Sequence, residues 1–440
     1  MKVNNKFPQI VAKAKMDKAL KFTSLAHHIN KDLLCSIFCE LKRNKACGID
    51  NVTLENYASN LQSNIEELVL KMKNQIYCPK PVKRVYIPKL GKDEKRGLGI
   101  PSTEDKLVQL GVKHILESIY EQDFLDCSHG FRPNKSCHTA IIALNQAVMT
   151  KPVNFVVEVD IRKFFDNVSH YWLLRCLEER ISDPNFLWII KRFLKSGVVE
   201  DGVFIESDKG APQGGNLSPL LSNIYLHYVL DLWFEKKFKS TSRNYMQLVR
   251  FCDDFVVTFD SRKDAERFLA ELRERFAKFG LEVAEDKTQL IEFGKKAFEK
   301  HKRNKTNLFS FNFLGFTHFM KKSRFGLTVI GHKTSKENLR RKLQTIKEWL
   351  RIARAKISFN EWIPILKAKL TGHYNYFGLS GNYRYLKQFY KQVISLMFKW
   401  INRRSQRKSI DWSTFMNYLQ STPLPQPRIT VNIYKSKPTQ

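Results

Sequence analysis

The chain is short of acid: 43 Asp and Glu stand against 75 Lys and Arg in 440 residues, a net charge of +32. Such a deficit suits a polyanionic partner, because Lys and Arg neutralise phosphates and release their counterions. There is no apolar run of about 18 residues, so a helical membrane span is not expected. The basic start MKVNNKFPQIVAKAKMDKAL has no apolar signal core, and no lipidation signal or basic amphipathic anchor is evident. A cytoplasmic protein without a membrane partner is therefore expected. The cysteines (positions 35, 39, 47, 78, 127, 137, 176 and 252) form no CxxC pair, which argues for reduced thiols rather than a disulfide framework. Internal repeats and low-complexity tracts are missing too. What is present is 43% apolar sequence, enough for a real interior, and length for more than one packed unit.

Apolar positions at three-to-four spacing predict helices within 15–75, split by the turn KACGID. PVKRVYIPK alternates like a strand and runs into the polar turn GKDEKRG. STEDKLVQLGVKHILESIYE opens with Ser102 or Thr103 ahead of Asp105, a capping signature, and reads as a helix. NFVVEVDI reads as a strand; HYWLLRCLEERI, PNFLWIIKRFLKSG, VLDLWFEKKF and SRKDAERFLAELRERFAKFGL read as helices. FSFNFLGFTHFM and GLTVIGHK read as a hairpin or short strands. From about residue 333 come three basic helices interleaved with aromatics, then a Pro-rich extended tail after about 421. The expected class is α+β to about 330, followed by an all-α basic unit.

The stretch VRFCDDFVV puts Asp253 and Asp254 inside an apolar, strand-like run. Buried unpaired charge is costly, so the pair needs a reason. Upstream, Asp160 ends the strand-like VVEVD. If the two strands are neighbours, the carboxylates converge on a site for hard divalent cations, which take oxygen ligands. Adjacent aspartates reach one region only at a turn or a distorted strand, and a β-hairpin tip provides that. The alternative is a pair that caps a solvated hairpin. In KGAPQGGNLSPLLSNIYL, Pro212, Gly214 and Gly215 make a tight loop that permits close backbone approach and feeds a helix near Leu217–Ser218. The same loop is also ordinary punctuation. CSHGFRPNKSCH offers Cys127, His129, Cys137 and His138 as zinc-type ligands, but the spacing fits no standard finger.

Taken in order, these segments resemble the palm of reverse transcriptases, in particular the bacterial group II intron type. VDIRKFFDNVSH looks like the first palm motif, GAPQGGNLSPLLSNIYL like the second, and VRFCDDFVV like the YADD-type strand–turn–strand. AEDKTQLIEFG resembles the next motif, with its lysine at Lys287, and FNFLGF resembles the primer-grip turn, with Gly315. PVKRVYIPKLGKDEKRGLGIPSTEDKLVQ and SHGFRPNKSCHTAI resemble finger segments, and LTGHYNYFGLSGNYRYLKQFYKQVISLMFKWINRRSQRKSIDW the thumb and maturase-type RNA-binding region. The resemblance implies a right-hand polymerase. It has an N-terminal helical extension at 1–78, fingers at 79–155, palm at 156–320, a helical thumb or maturase-like domain at 321–420 and a tail at 421–440. It implies an RNA-directed DNA polymerase that uses two Mg²⁺ ions, dNTPs, a DNA primer and product, and a structured RNA as template and partner. Asp160, Asp253 and Asp254 would be the catalytic metal ligands, with the main-chain carbonyl of Ile161 as a further one. Phe165 would exclude a ribose 2′-OH, and Gln213 would lie against the incoming nucleotide. Lys89, Arg96 and Lys106 would grip the triphosphate; Lys287 would protonate pyrophosphate or simply fold its loop. Arg132 and its loop would touch the template backbone.

Several features depart from the family pattern. Lys106 stands where the family usually has Arg, which replaces a bidentate fork by a point charge. Phe251 and Cys252 replace the Tyr and Ala of YADD, with Cys252 expected where the primer terminus passes. No HNH-type endonuclease is expected after the maturase-like region. Three roles stay open: an intron-encoded reverse transcriptase and maturase, a domesticated antiviral-defence enzyme that copies a partner non-coding RNA, and an RNA-binding maturase without polymerase activity.

Overall fold

The computed structural model describes residues 6–42, 46–88, 95–206, 208–210, 214–403 and 410–433. Its strands are β1 (Val82–Pro88), β2 (Lys95–Ile100), β3 (Phe155–Val159), β4 (Val198–Glu200), β5 (Val203–Ile205), β6 (Met246–Phe251), β7 (Asp254–Phe259), β8 (Gln289–Glu292), β9 (Ser310–Phe313), β10 (Phe316–Lys322) and β11 (Thr328–Thr334). They form three sheets, ordered β2-β1-β4-β5, β6-β7-β3-β8 and β11-β10-β9. β1 pairs antiparallel with β2 and parallel with β4. The chain divides into two compact units, one of Met1–Ala140 and Val156–Leu290, the other of Ile141–Phe155 and Ile291–Gln440. The fold is mixed α+β with mostly antiparallel sheets and a helical C-terminal region.

In the first unit the capping signature is realised. Ser102 accepts from the Asp105 amide at 3.0 Å and starts the helix Thr103–Tyr120, which buries Leu107, Val108, Val112 and Ile115. Burying such side chains stabilises by about 1.5–3 kcal/mol each. VLDLWFEKKF is helical but not α-helical. The α-helix Ser218–Leu226 passes into π-helical turns over His227–Asp231 and Trp233–Phe238. Such turns are often found at functional sites.

In the second unit, helices Lys336–Lys356, Phe359–Phe377 and Tyr383–Ile401 bury Leu350, Trp362, Leu370, Leu386, Val393 and Met397 in one core. Their basic side chains ride over that core. The guanidinium groups of Arg354 and Arg403 lie over the Trp400 ring, and Lys369 over Trp349. A further helix, Trp412–Ser421, was not legible from periodicity; its signal is the cap Asp411, which accepts from the Thr414 amide at 2.7 Å. Among the described residues, 423–430 carry no helix or strand, and Val431 bridges to Leu379. No helix among the described residues is long and apolar enough to cross a membrane.

Candidate active site

VRFCDDFVV folds as two strands and a turn. β6 and β7 pair antiparallel with Phe251 opposite Asp254, which leaves Cys252 and Asp253 as a two-residue loop. Cys252 has φ +60°, a conformation that normally selects glycine. Asp253 and Asp254 are partly exposed at the tip, while Phe255, Val256 and Val257 behind them are fully buried. This explains the two acids in an apolar run: the run is interior and the acids sit where it reverses.

β7 lies beside β3 in the sheet, and Asp160 directly follows β3. The third aspartate thus stands just past the neighbouring strand, which meets the condition set by the sequence pattern. Its carboxylate accepts an ion pair from Lys287 Nζ at 2.6 Å, with both side chains substantially exposed. Ile161 bridges to Val283 through flanking groups: Ala284 N–H donates to the Asp160 carbonyl and Arg162 N–H to the Glu282 carbonyl, each at 2.9 Å. The carbonyl of Ile161 itself is not used in that bridge. These donors are all oxygen, which suits a hard divalent cation. Their side chains are not gathered, however. Among the described residues no three His, Cys, Asp or Glu groups stand close enough together to hold a metal, and an ammonium occupies Asp160.

Phe165 follows the buried Phe164 in a short helical turn, Phe164–Asn167; the rings meet edge to face at 5.3 Å, and Phe165 is half-buried. The glycine loop makes its close approach to backbone: a Cβ on Gly214, at φ +112°, would lie 2.5 Å from the Gly99 carbonyl oxygen of β2. Gln213 and Lys89 lie outside the described residues, as does the side chain of Arg96, whose backbone in β2 pairs with Ile87 of β1. Lys106 projects from the helix Thr103–Tyr120 and donates to the Ala46 carbonyl at 2.8 Å.

Two of the expected nucleic-acid contacts are largely covered in the structure. Arg132 turns its guanidinium to internal partners. It is 9% exposed, pairs with Glu121 at 3.1 Å, donates to the Leu125 and Ser128 carbonyls at 2.8 Å, and lies over the Phe124 ring. It braces its loop, because a buried guanidinium needs its donors filled. Cys252, expected near the primer terminus, is largely covered. It is 4% exposed, tucked under the turn, and burial together with the adjacent Asp253 drives its thiol far above the usual range. Of the zinc-type group, His129 Nδ1 contacts Thr139 Oγ1 at 2.9 Å, and burial and nearby cations lower its pKa to about 4. Gly315 is the second residue of the two-residue β9–β10 turn, at φ +79° after Leu314 at φ +49°.

Sequence reasoning missed the support beneath the aspartates. Arg250, on β6, is fully buried. Its guanidinium donates bidentately to Asp231 (2.8 and 2.5 Å), and to Asn223 Oδ1, the Cys252 carbonyl and Ser128 Oγ (2.9 Å each). A lone Arg within LVRF and a lone Asp within VLDLW, both in apolar runs, were the available signal.

A hairpin tip bearing two carboxylates, next to a strand that ends in a third, within this α+β frame, has the plan of a polymerase palm. Residues 87–318 match the family model described as reverse transcriptase (RNA-dependent DNA polymerase), and the chain belongs to that family. Over 216 residues it is 38% identical to the group II intron-encoded protein LtrA of Lactococcus lactis subsp. cremoris, a stretch covering 48% of this chain and 36% of that protein. Over 184 residues it is 37% identical to protein YkfC of Escherichia coli (strain K12), covering 41% of this chain and 48% of that one. Over 134 residues it is 28% identical to nuclear intron maturase 4, mitochondrial, of Arabidopsis thaliana, covering 30% and 16%. Its likeness within the family is thus to the group II intron and maturase type, and the matches span at most about half the length of these relatives.

Proposed function

We propose that this chain is an RNA-directed DNA polymerase of group II intron type, which extends a primer 3′-OH with dNTPs on an RNA template. The observation that carries this reading is the Asp253–Asp254 turn on the strand next to that of Asp160. The three carboxylates and the Ile161 carbonyl are the groups that would hold two Mg²⁺ ions. When bound, such ions lower the pKa of the attacking hydroxyl and neutralise the leaving pyrophosphate. Lys287 must leave Asp160 for a cation to take its place, which frees the ammonium to meet pyrophosphate. Phe165 screens the sugar 2′ position. Gln213 lies along the nucleotide, and Lys89, Arg96 and Lys106 hold the triphosphate. The Leu314–Gly315 turn supports the primer. Residues 79–155 act as fingers, 156–320 as palm and 321–420 as thumb and maturase-like region. The basic helices of the last, with cations over indole rings, suit a structured RNA held by phosphate contact and shape.

A primed RNA template with Mg²⁺ and dNTPs tests the reading. Wild type is expected to extend the primer and Asp253→Ala/Asp254→Ala to show no extension at an unchanged thermal midpoint. An inert wild type, or an active double variant, overturns it. Phe165→Ala is expected to admit rNTPs with on the order of tenfold or greater loss of sugar discrimination, since bulk against a single hydroxyl decides the choice. Unchanged discrimination removes that role.

A further inference from the structure

The CSHGFRPNKSCH segment has a second task, visible only in the fold. Its first residues run alongside β6, with a parallel bridge between Ser128 and Arg250. The Arg250 amide donates to the Cys127 carbonyl, and the His129 amide to the Arg250 carbonyl, both at 2.8 Å. Gly130 then closes flat against the carboxylate turn: a Cβ there would lie 2.5 Å from the Cys252 amide nitrogen. Asn223 ties the two together, donating from Nδ2 to the Gly130 carbonyl (2.6 Å) and accepting on Oδ1 from Arg250 (2.9 Å).

All five N–H donors of Arg250 are engaged, one of them by the carbonyl of Cys252, the residue held at φ +60°. A non-glycine residue stays in that region only where its surroundings over-determine it. The planar guanidinium fork supplies this, because its bond directions are fixed relative to one another. Asp231 sets the fork, Asn223 and Ser128 prevent its rotation, and the remaining N–H reaches the turn. The buried pair with Asp231 is costly to desolvate, and its further bond to the Cys252 carbonyl connects that pair to the turn.

We infer that Arg250 is a positioning residue for the Asp253–Asp254 pair. Clamped by Asp231, Asn223 and Ser128, it holds the Cys252 carbonyl and so presents both carboxylates to divalent cations in one fixed turn geometry. This rests on the proposed reading of the two aspartates as metal-binding groups.

The test uses the full chain with an RNA template and a primer ended by a dideoxynucleotide. Mn²⁺ binding is read from loss of the free-ion electron paramagnetic resonance signal. Wild type is expected to bind Mn²⁺, and Asp253→Ala/Asp254→Ala to lose it; if these two bind alike, the metal-site reading itself fails. Where they differ, Arg250→Lys keeps a positive charge beside Asp231 but lacks the fork. It is expected to weaken Mn²⁺ binding about tenfold, the scale of lost support behind a metal ligand, and to raise by the same factor the metal concentration at half-maximal primer extension. Asn223→Ala leaves the Arg250–Asp231 pair intact and is expected to shift both readings in the same direction, so it carries the test if the lysine variant does not fold. A folded variant of either kind with both readings within about twofold of wild type overturns the inference, since a merely structural role lowers the thermal midpoint without moving metal affinity.

Discussion

The β6–β7 turn and the β9–β10 turn each join two antiparallel strands through two residues, one turn in each unit. At β9–β10 both central residues, Leu314 and Gly315, have positive φ, and glycine fills the second place. This is the pattern that matches strand twist at least strain. Its carbonyls are met by ordinary donors: the Ser335 amide and Asn338 Nδ2 on Gly315, and the Tyr376 hydroxyl on Leu314. At β6–β7 only Cys252 is positive, no glycine is present, and a fully buried arginine holds the carbonyl. One turn has glycine at its second place and a twist that matches its strands, with Leu314 at φ +49° as its one strained residue. The other is maintained against its residues' preference by a buried charged network, as strained backbone at functional sites generally must be.

Three measurements break or sharpen that contrast. The largest effect is expected from removing the support itself. Arg250→Ala leaves Asp231 buried and unpaired and should lower unfolding free energy by about 3–5 kcal/mol in denaturant titration. Asn338→Ala, at the other turn, should cost only about 1 kcal/mol. Equal costs would remove the distinction.

The next effect depends on pH. The β10–β11 pair rests on His318 and His332, whose Nδ1 atoms meet at 2.8 Å, while His318 Nε2 faces the Phe313 carbonyl beside the turn. Burial lowers His318 to about 4 and His332 well below its usual value. The unfolded chain takes up protons near pH 6.5 that the folded pair refuses, so stability is full above that value and falls as pH drops towards 4. By about pH 4.5 the loss attributable to His318 is about 2–3 kcal/mol. His318→Gln/His332→Gln should flatten this acid limb in thermal unfolding, and parallel limbs would refute it.

The smallest effect comes from exchanging the turns' preferences. Gly315→Ala places a side chain at φ +79° and should cost about 1–2 kcal/mol. Cys252→Gly relieves the same kind of strain but loses a buried thiol, so its stability should stay within about 1 kcal/mol of wild type. A large loss on Cys252→Gly would show that packing, rather than the clamp, holds the turn.

The sequence by itself determined much of the alternation of strands and helices, the cap at Ser102, the family to which the chain belongs, and an aspartate pair inside one strand-like run with a third aspartate at the end of another. These are local matters: periodicity, capping chemistry and motif spacing act within a few residues. Tertiary structure alone decided what the polar residues in between are for. Arg132, expected at the template backbone, has its guanidinium turned to internal partners, and Cys252, expected near the primer terminus, is covered under its turn. Arg250 reads as one more basic residue among 75 and proves to have every donor filled by partners 2 to 122 positions away. The physical reason is desolvation. A charged side chain's role is set by which acceptors surround it once water is gone, and those acceptors are brought together by the fold and not by the order of the chain.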